Sequence, residues 1–114
     1  MGIFSWLFGP EVETIEVTDV QRLQAEGAVV IDVREPHEWA MGHVQGAKLM
    51  PLGSLNRELS KIRPDRQVLF ICQSGHRGAR ATDMANRRGL KAVNVRGGMM
   101  RWMRAGLPVK NGRK

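Results

Sequence analysis

Three short apolar runs, Ala28 to Val33, Val68 to Ile71 and Ala92 to Val95, punctuate the chain, and most of the stretches between them carry apolar residues at helical spacing. Runs in which successive side chains are all apolar, rather than alternating with polar ones, predict strands covered on both faces. The second of these strands reads from Gln67 to Cys72. Ile15 to Val17 reads as a further short strand, after which Thr18 is placed to N-cap a helix running through Glu26 and stopped by Gly27. Residues 36 to 41 suit one or two helical turns before Gly42 and Gly46 break the pattern, and Lys48 to Met50 suits a short strand ended by Pro51. From Ser54 to Ile62 the apolar positions Leu55, Leu59 and Ile62 share one helical face. A helix from about Arg77 ends at Gly89, which suits the left-handed C′ position, and Gly97-Gly98 leads into a last helix, Met99 to Arg104. Strands alternating with helices through short connections predict a parallel α/β sheet, whose ligands bind at the carboxyl ends of the strands.

Composition narrows the picture. The chain has 114 residues, 42% of them hydrophobic, which fits one domain with its own core. Its one cysteine excludes an internal disulfide and any multi-cysteine metal site, so a reducing, cytoplasmic location is expected, with no metal and no cofactor. Lys and Arg number 18 against 11 acids, giving a net charge of +7 that would draw a small anion or an acidic partner. These charges are scattered and no tyrosine interleaves them, which argues against a nucleic-acid surface. The segment Ile3 to Phe8 is apolar but far short of the ~20 residues that span a membrane. It suits a disordered end, a flap packed on the domain or on a neighbouring subunit, through which the protein could form an oligomer, or a weak interfacial anchor.

The chemistry concentrates at Cys72-Gln73-Ser74-Gly75-His76-Arg77. A lone cysteine in an ordinary domain is a small buried hydrophobe. Here Ser74 and Gly75 are loop formers, and His76, Arg77 and Arg80 supply positive charge. A cysteine between a strand and a helix can set its sulfur against backbone N–H groups and the positive end of the helix dipole, which stabilise a negative sulfur. A thiolate needs no separate general base, so the absence of a Cys/His/Asp triad does not count against nucleophilic chemistry.

With the segments Asp32-Val33-Arg34-Glu35, Gly42-His43-Val44-Gln45-Gly46-Ala47, the cysteine loop, and Gly97-Gly98-Met99-Met100-Arg101-Trp102 followed by Leu107-Pro108-Val109, the chain resembles a single-domain rhodanese, a thiosulfate sulfurtransferase. The resemblance implies a three-layer α/β/α fold around a small, mostly parallel sheet. It divides the chain into an extension over residues 1–10, a domain over 11–109 and a basic tail over 110–114. It also implies that Cys72 takes a sulfane sulfur from thiosulfate or a persulfide and passes it to cyanide or a thiol, with a protein as a further candidate acceptor. The backbone of Gln73, Ser74, Gly75, His76 and Gly78 would cradle the persulfide, and Arg77 would hold the oxyanion end of the donor. Asp32, Arg34 and Glu35 would brace the loop, while His43 would bond backbone in its own turn. Many relatives carry Ser or Thr after the loop arginine. Gly78 stands there in this chain, so a hydroxyl that could reach the sulfur is missing.

Two other functions fit the loop. A phosphatase or arsenate reductase also binds a tetrahedral anion at a cysteine loop, but rhodanese-like phosphatases have five residues between Cys and Arg and this chain has four, Gln73 to His76. A persulfide carrier that turns over slowly without its partner shares every feature above. Trp39 and Trp102 read as core or pocket wall, and Met99, Met100 and Met103 as core or a deformable apolar rim.

Overall fold

The computed structural model describes residues 10–112. The apolar segment Ile3 to Phe8 lies outside the described residues, as do Arg113 and Lys114 of the tail. Five strands, β1 (Thr14–Ile15), β2 (Val29–Asp32), β3 (Lys48–Leu49), β4 (Gln67–Ile71) and β5 (Lys91–Val95), form one sheet in the order β1-β5-β4-β2-β3. Every neighbouring pair is parallel. The α-helices are α1 (Val17–Ala25), α2 (Pro36–Ala40), α3 (Leu52–Glu58), α4 (His76–Arg87) and α5 (Gly98–Arg104).

Strand periodicity sorts the core into two layers. Along β4 and just beyond it, Val68, Phe70 and Cys72 point to the face that packs Leu55, Leu59, Ala81 and Ala85. The intervening Leu69 and Ile71 point to the face that packs Val17, Val20, Met99 and Trp102. Helices α3 and α4 therefore close one side of the sheet and α1 and α5 the other, which is the expected α/β/α sandwich. The same alternation puts Cys72 on the α4 side, beneath that helix's N-terminal turn.

Several boundaries depart from the sequence reading, the first strand covering Thr14–Ile15 rather than Ile15 to Val17. Helix α1 begins at Val17 with Glu16, not Thr18, as its N-cap; the Glu16 amide donates to the Asp19 carboxylate at 3.3 Å. Starting there puts Val17 and Val20, three residues apart and both buried, on one helical face. Helix α3 starts at Leu52, directly after Pro51, and tightens into a 3₁₀ turn over Leu59–Lys61. The chain past residue 109 is bound to the body, since Lys110 and His43 exchange backbone hydrogen bonds of 2.8 and 2.9 Å and the Gly112 amide donates to the Ala40 carbonyl at 3.0 Å. Among the described residues no helix is long and apolar enough to cross a membrane.

Candidate active site around Cys72

Cys72 follows β4, and three residues later Gly75 caps α4 with a left-handed φ of 109°. That conformation is cheap only for glycine. It turns the Gly75 amide back so that it donates to Cys72 Sγ at 3.0 Å, and the Gly78 amide, in the first turn of α4, donates at 3.2 Å. Two amides and the positive end of a twelve-residue helix thus face the sulfur and favour negative charge there. Cys72 is itself buried.

The loop side chains have other partners. Gln73 accepts a hydrogen bond from Arg34 Nη1 at 3.3 Å. Ser74 Oγ lies 3.1 Å from His76 Nδ1, in water. Of the loop residues named from sequence, Gly75 and Gly78 reach the sulfur, and both do so through backbone.

The missing hydroxyl at position 78 has a steric reason. A Cβ on Gly78 would overlap Oδ1 of Asn94, a buried β5 residue. Asn94 Nδ2 donates to the Gly75 carbonyl at 3.0 Å, while its Oδ1 has no hydrogen-bond partner among the described residues. Asn94 therefore holds the residue whose amide meets the sulfur, in the space a larger residue at 78 would need. The sequence reading passed over it, although a polar residue inside the apolar run Ala92 to Val95 was a usable signal.

Asp32 and Arg34 form a buried ion pair, 2.8 Å between Asp32 Oδ2 and Arg34 Nη2, with side chains 0% and 4% exposed. Arg34 also donates to the carbonyls of Glu38 at 3.2 Å and Gly42 at 2.8 Å. With its bond to Gln73, it ties the end of β2, helix α2 and the cysteine loop together. Glu35 does not share that role. It is the exposed N-cap of α2, and its amide donates to the Glu38 carboxylate at 2.9 Å, so it shapes a helix start rather than the loop. His43 is buried, its Nδ1 2.9 Å from the Trp39 carbonyl and its ring stacked on Trp39 at 3.5 Å, which satisfies it as a structural residue.

Arg77 has a partner the sequence reading did not name. Its Nη1 and Nη2 donate to Glu38 Oε1 and Oε2 at 2.7 and 2.8 Å, a two-pronged pair in which each side chain is partly exposed. The Arg77 hydrogen bonds, helped by the Glu35 amide, hold the Glu38 carboxyl down at about 2 from its ordinary 4.5. The same pairing raises Arg77, on which charge at Cys72 also acts. A depressed carboxyl contributes stability that is complete above its unfolded pKa and is lost as pH falls through the folded one. Unfolding free energy measured in urea should accordingly drop by about 1–2 kcal/mol through this pair between pH 5 and pH 2, the value being held down by solvent screening. Glu38→Gln should flatten that part of the profile. A variant profile parallel to the wild type would take the pair out of the stability account.

Beside the loop lies a groove of about 270 Å³ lined by Arg34, Glu38, Met41, Gly42, Gln73, Met99 and Met103. Met99 is core, whereas Met41, Met100 and Met103 stand exposed, so only part of the expected methionine rim is on the surface. Trp39 and Trp102 are buried.

The site is thus a cysteine at the carboxyl end of a central parallel strand, its sulfur accepting from two amides at the start of the next helix, in a parallel α/β domain. The Rhodanese-like domain family model matches residues 16–105, and the chain belongs to that family. It is 35% identical over 91 residues to a protein of Allochromatium vinosum named Sulfurtransferase, covering 78% of this chain and 85% of that one. It is 38% identical over 76 residues to the uncharacterized protein YqhL of Bacillus subtilis, covering 66% of this chain and 60% of that longer relative. The crystal structure of a rhodanese-related protein from Thermoplasma volcanium superposes with a TM-score of 0.81 at 30% identity, covering 86% of this chain and 97% of that one.

Proposed function

We propose that the protein is a cytoplasmic sulfurtransferase in which Cys72 carries the sulfur. The observation that carries this reading is the pair of amides, from Gly75 and Gly78, on Cys72 Sγ. The Cys72 thiolate attacks the outer sulfur of a donor, thiosulfate or a persulfide. A bond forms from Sγ to that sulfur, the donor's own S–S bond breaks, and sulfite or a thiolate leaves with the electron pair. The amides of the loop then stabilise the new terminal sulfur anion. An acceptor, cyanide or a thiol, takes the outer sulfur by the same displacement and regenerates Cys72. With no second cysteine in the chain, the sulfur must leave to an outside molecule.

In this scheme the Gly75 and Gly78 amides hold the sulfur, and Asp32 and Arg34 hold the loop. A carrier that needs a protein partner would keep the same loaded state. An assay without any partner separates the two: release of thiocyanate from cyanide over many turnovers is the expected result. A single stoichiometric transfer that then stops would replace the enzyme with the carrier.

A further inference from the structure

The pair between Arg77 and Glu38 bears on which donor this site accepts. Thiosulfate is a dianion, and its leaving group, sulfite, is one as well. To be held during attack it needs a cation whose charge is not already offset. Arg77 supplies the charge, but one N–H on each of its terminal nitrogens donates to Glu38, at 2.7 and 2.8 Å, and that carboxylate offsets it. Arg34, the other guanidinium beside the loop, is buried, and its nitrogens are spent on Asp32, Gln73, Glu38 and Gly42. Arg80, one turn further along α4, stands exposed. Its field is weakened by water and salt.

A dianion brought to Arg77 must therefore displace Glu38 or sit against its carboxylate, and like-charge juxtaposition is costly. The groove adjoining Gln73 presents Met41, Met99 and Met103, a deformable apolar wall suited to an organic group. Resting on the sulfurtransferase reading above, we infer that Glu38 sets the donor class: the site favours a persulfide on an organic thiol over thiosulfate.

With a neutral persulfide R–S–SH the step balances without an external oxidant or reductant. The Cys72 thiolate attacks the terminal sulfur, the R–S bond to that sulfur breaks, and R–S⁻ departs with the pair. Cys72 then bears S–SH, whose proton passes to the thiolate or to water. No oxyanion is created beside Glu38, and R can lie along the methionines.

The test uses the full chain with two donors, 2-hydroxyethyl persulfide and thiosulfate, reading kcat and KM for each. The wild type is expected to have the higher kcat/KM for the persulfide, with its disadvantage on thiosulfate lying mainly in KM. Glu38→Gln keeps an oxygen for the Glu35 amide and removes the negative charge. It should raise the ratio of thiosulfate to persulfide efficiency about tenfold, through a lower thiosulfate KM. An unchanged or lower ratio in that variant overturns the inference. So does a wild type that uses thiosulfate as well as the persulfide, a comparison that stands even if the variant folds poorly. In both of those cases sulfur still reaches Cys72 and the sulfurtransferase reading survives. If neither donor loads Cys72, the two fall together.

Discussion

Cys72→Ser is expected to lower sulfur transfer by about a thousandfold or more while leaving the fold in place. The substitution swaps one small atom, and the hydroxyl oxygen can still accept from the Gly75 and Gly78 amides that now meet Sγ at 3.0 and 3.2 Å. The cost to stability should therefore be no more than about 1 kcal/mol, the range for a rearranged buried hydrogen bond. Chemistry fails for a separate reason. A serine hydroxyl stays protonated where a thiol ionises, and an oxygen cannot exchange with an S–S bond as a thiolate does. Steady-state transfer beside a urea denaturation curve checks both halves. Retained turnover in the folded variant would mean that another group accepts the sulfur.

The second large effect is structural and comes from Gly98. Its φ is +55°, and a Cβ there would overlap the Cys72 carbonyl oxygen and stand 2.8 Å from the Cys72 carbonyl carbon. The neighbouring amides of Met99 and Met100 donate to the Cys72 and Gln73 carbonyls at 2.8 and 3.0 Å. The start of α5 is thus pressed against the backbone that positions the sulfur, and backbone cannot swing aside as a side chain can. Gly98→Ala should destabilise by roughly 2–5 kcal/mol, adding left-handed strain of ~1–2 to overpacking of ~1–3 kcal/mol. What folds should also transfer sulfur poorly, because relief of the clash moves the cysteine loop. Gly53→Ala is the contrast: that glycine lies in α3 with nothing within 4 Å of an added Cβ. It should gain up to about 1 kcal/mol, as alanine gains over glycine inside a helix. Equal melting temperatures for the two variants would contradict the role given to Gly98.

The sheet was readable because β2, β4 and β5 are buried on both faces and write themselves as apolar runs. The cysteine loop was readable because its parts are consecutive: a strand, a left-handed glycine and a helix start. Arg77 could be placed near the sulfur on the same grounds. Its partner could not, since Glu38 lies 39 positions away and the pairing is a product of the fold. A local trace existed, for Pro36 followed by Glu38 is a helix-start pattern, and it would have put that acid at the ligand end of β2. Asn94 and Gly75 are 19 apart and meet only across the sheet, so the absent hydroxyl at Gly78 looked like a loss when it is a packing requirement. The start of α1 was misplaced because Thr18 carries the stronger local capping signal, whereas burial of Val17 decides the matter.

Central to the account is a single sulfur held at Cys72. Intact-mass spectrometry of the full chain after brief exposure to 2-hydroxyethyl persulfide, followed by peptide mapping, tests it most directly. The account predicts a protein one sulfur atom heavier, with the addition at Cys72, reversed by cyanide and absent from Cys72→Ser. A folded protein whose mass does not change, or whose added sulfur maps to any other residue, would contradict it.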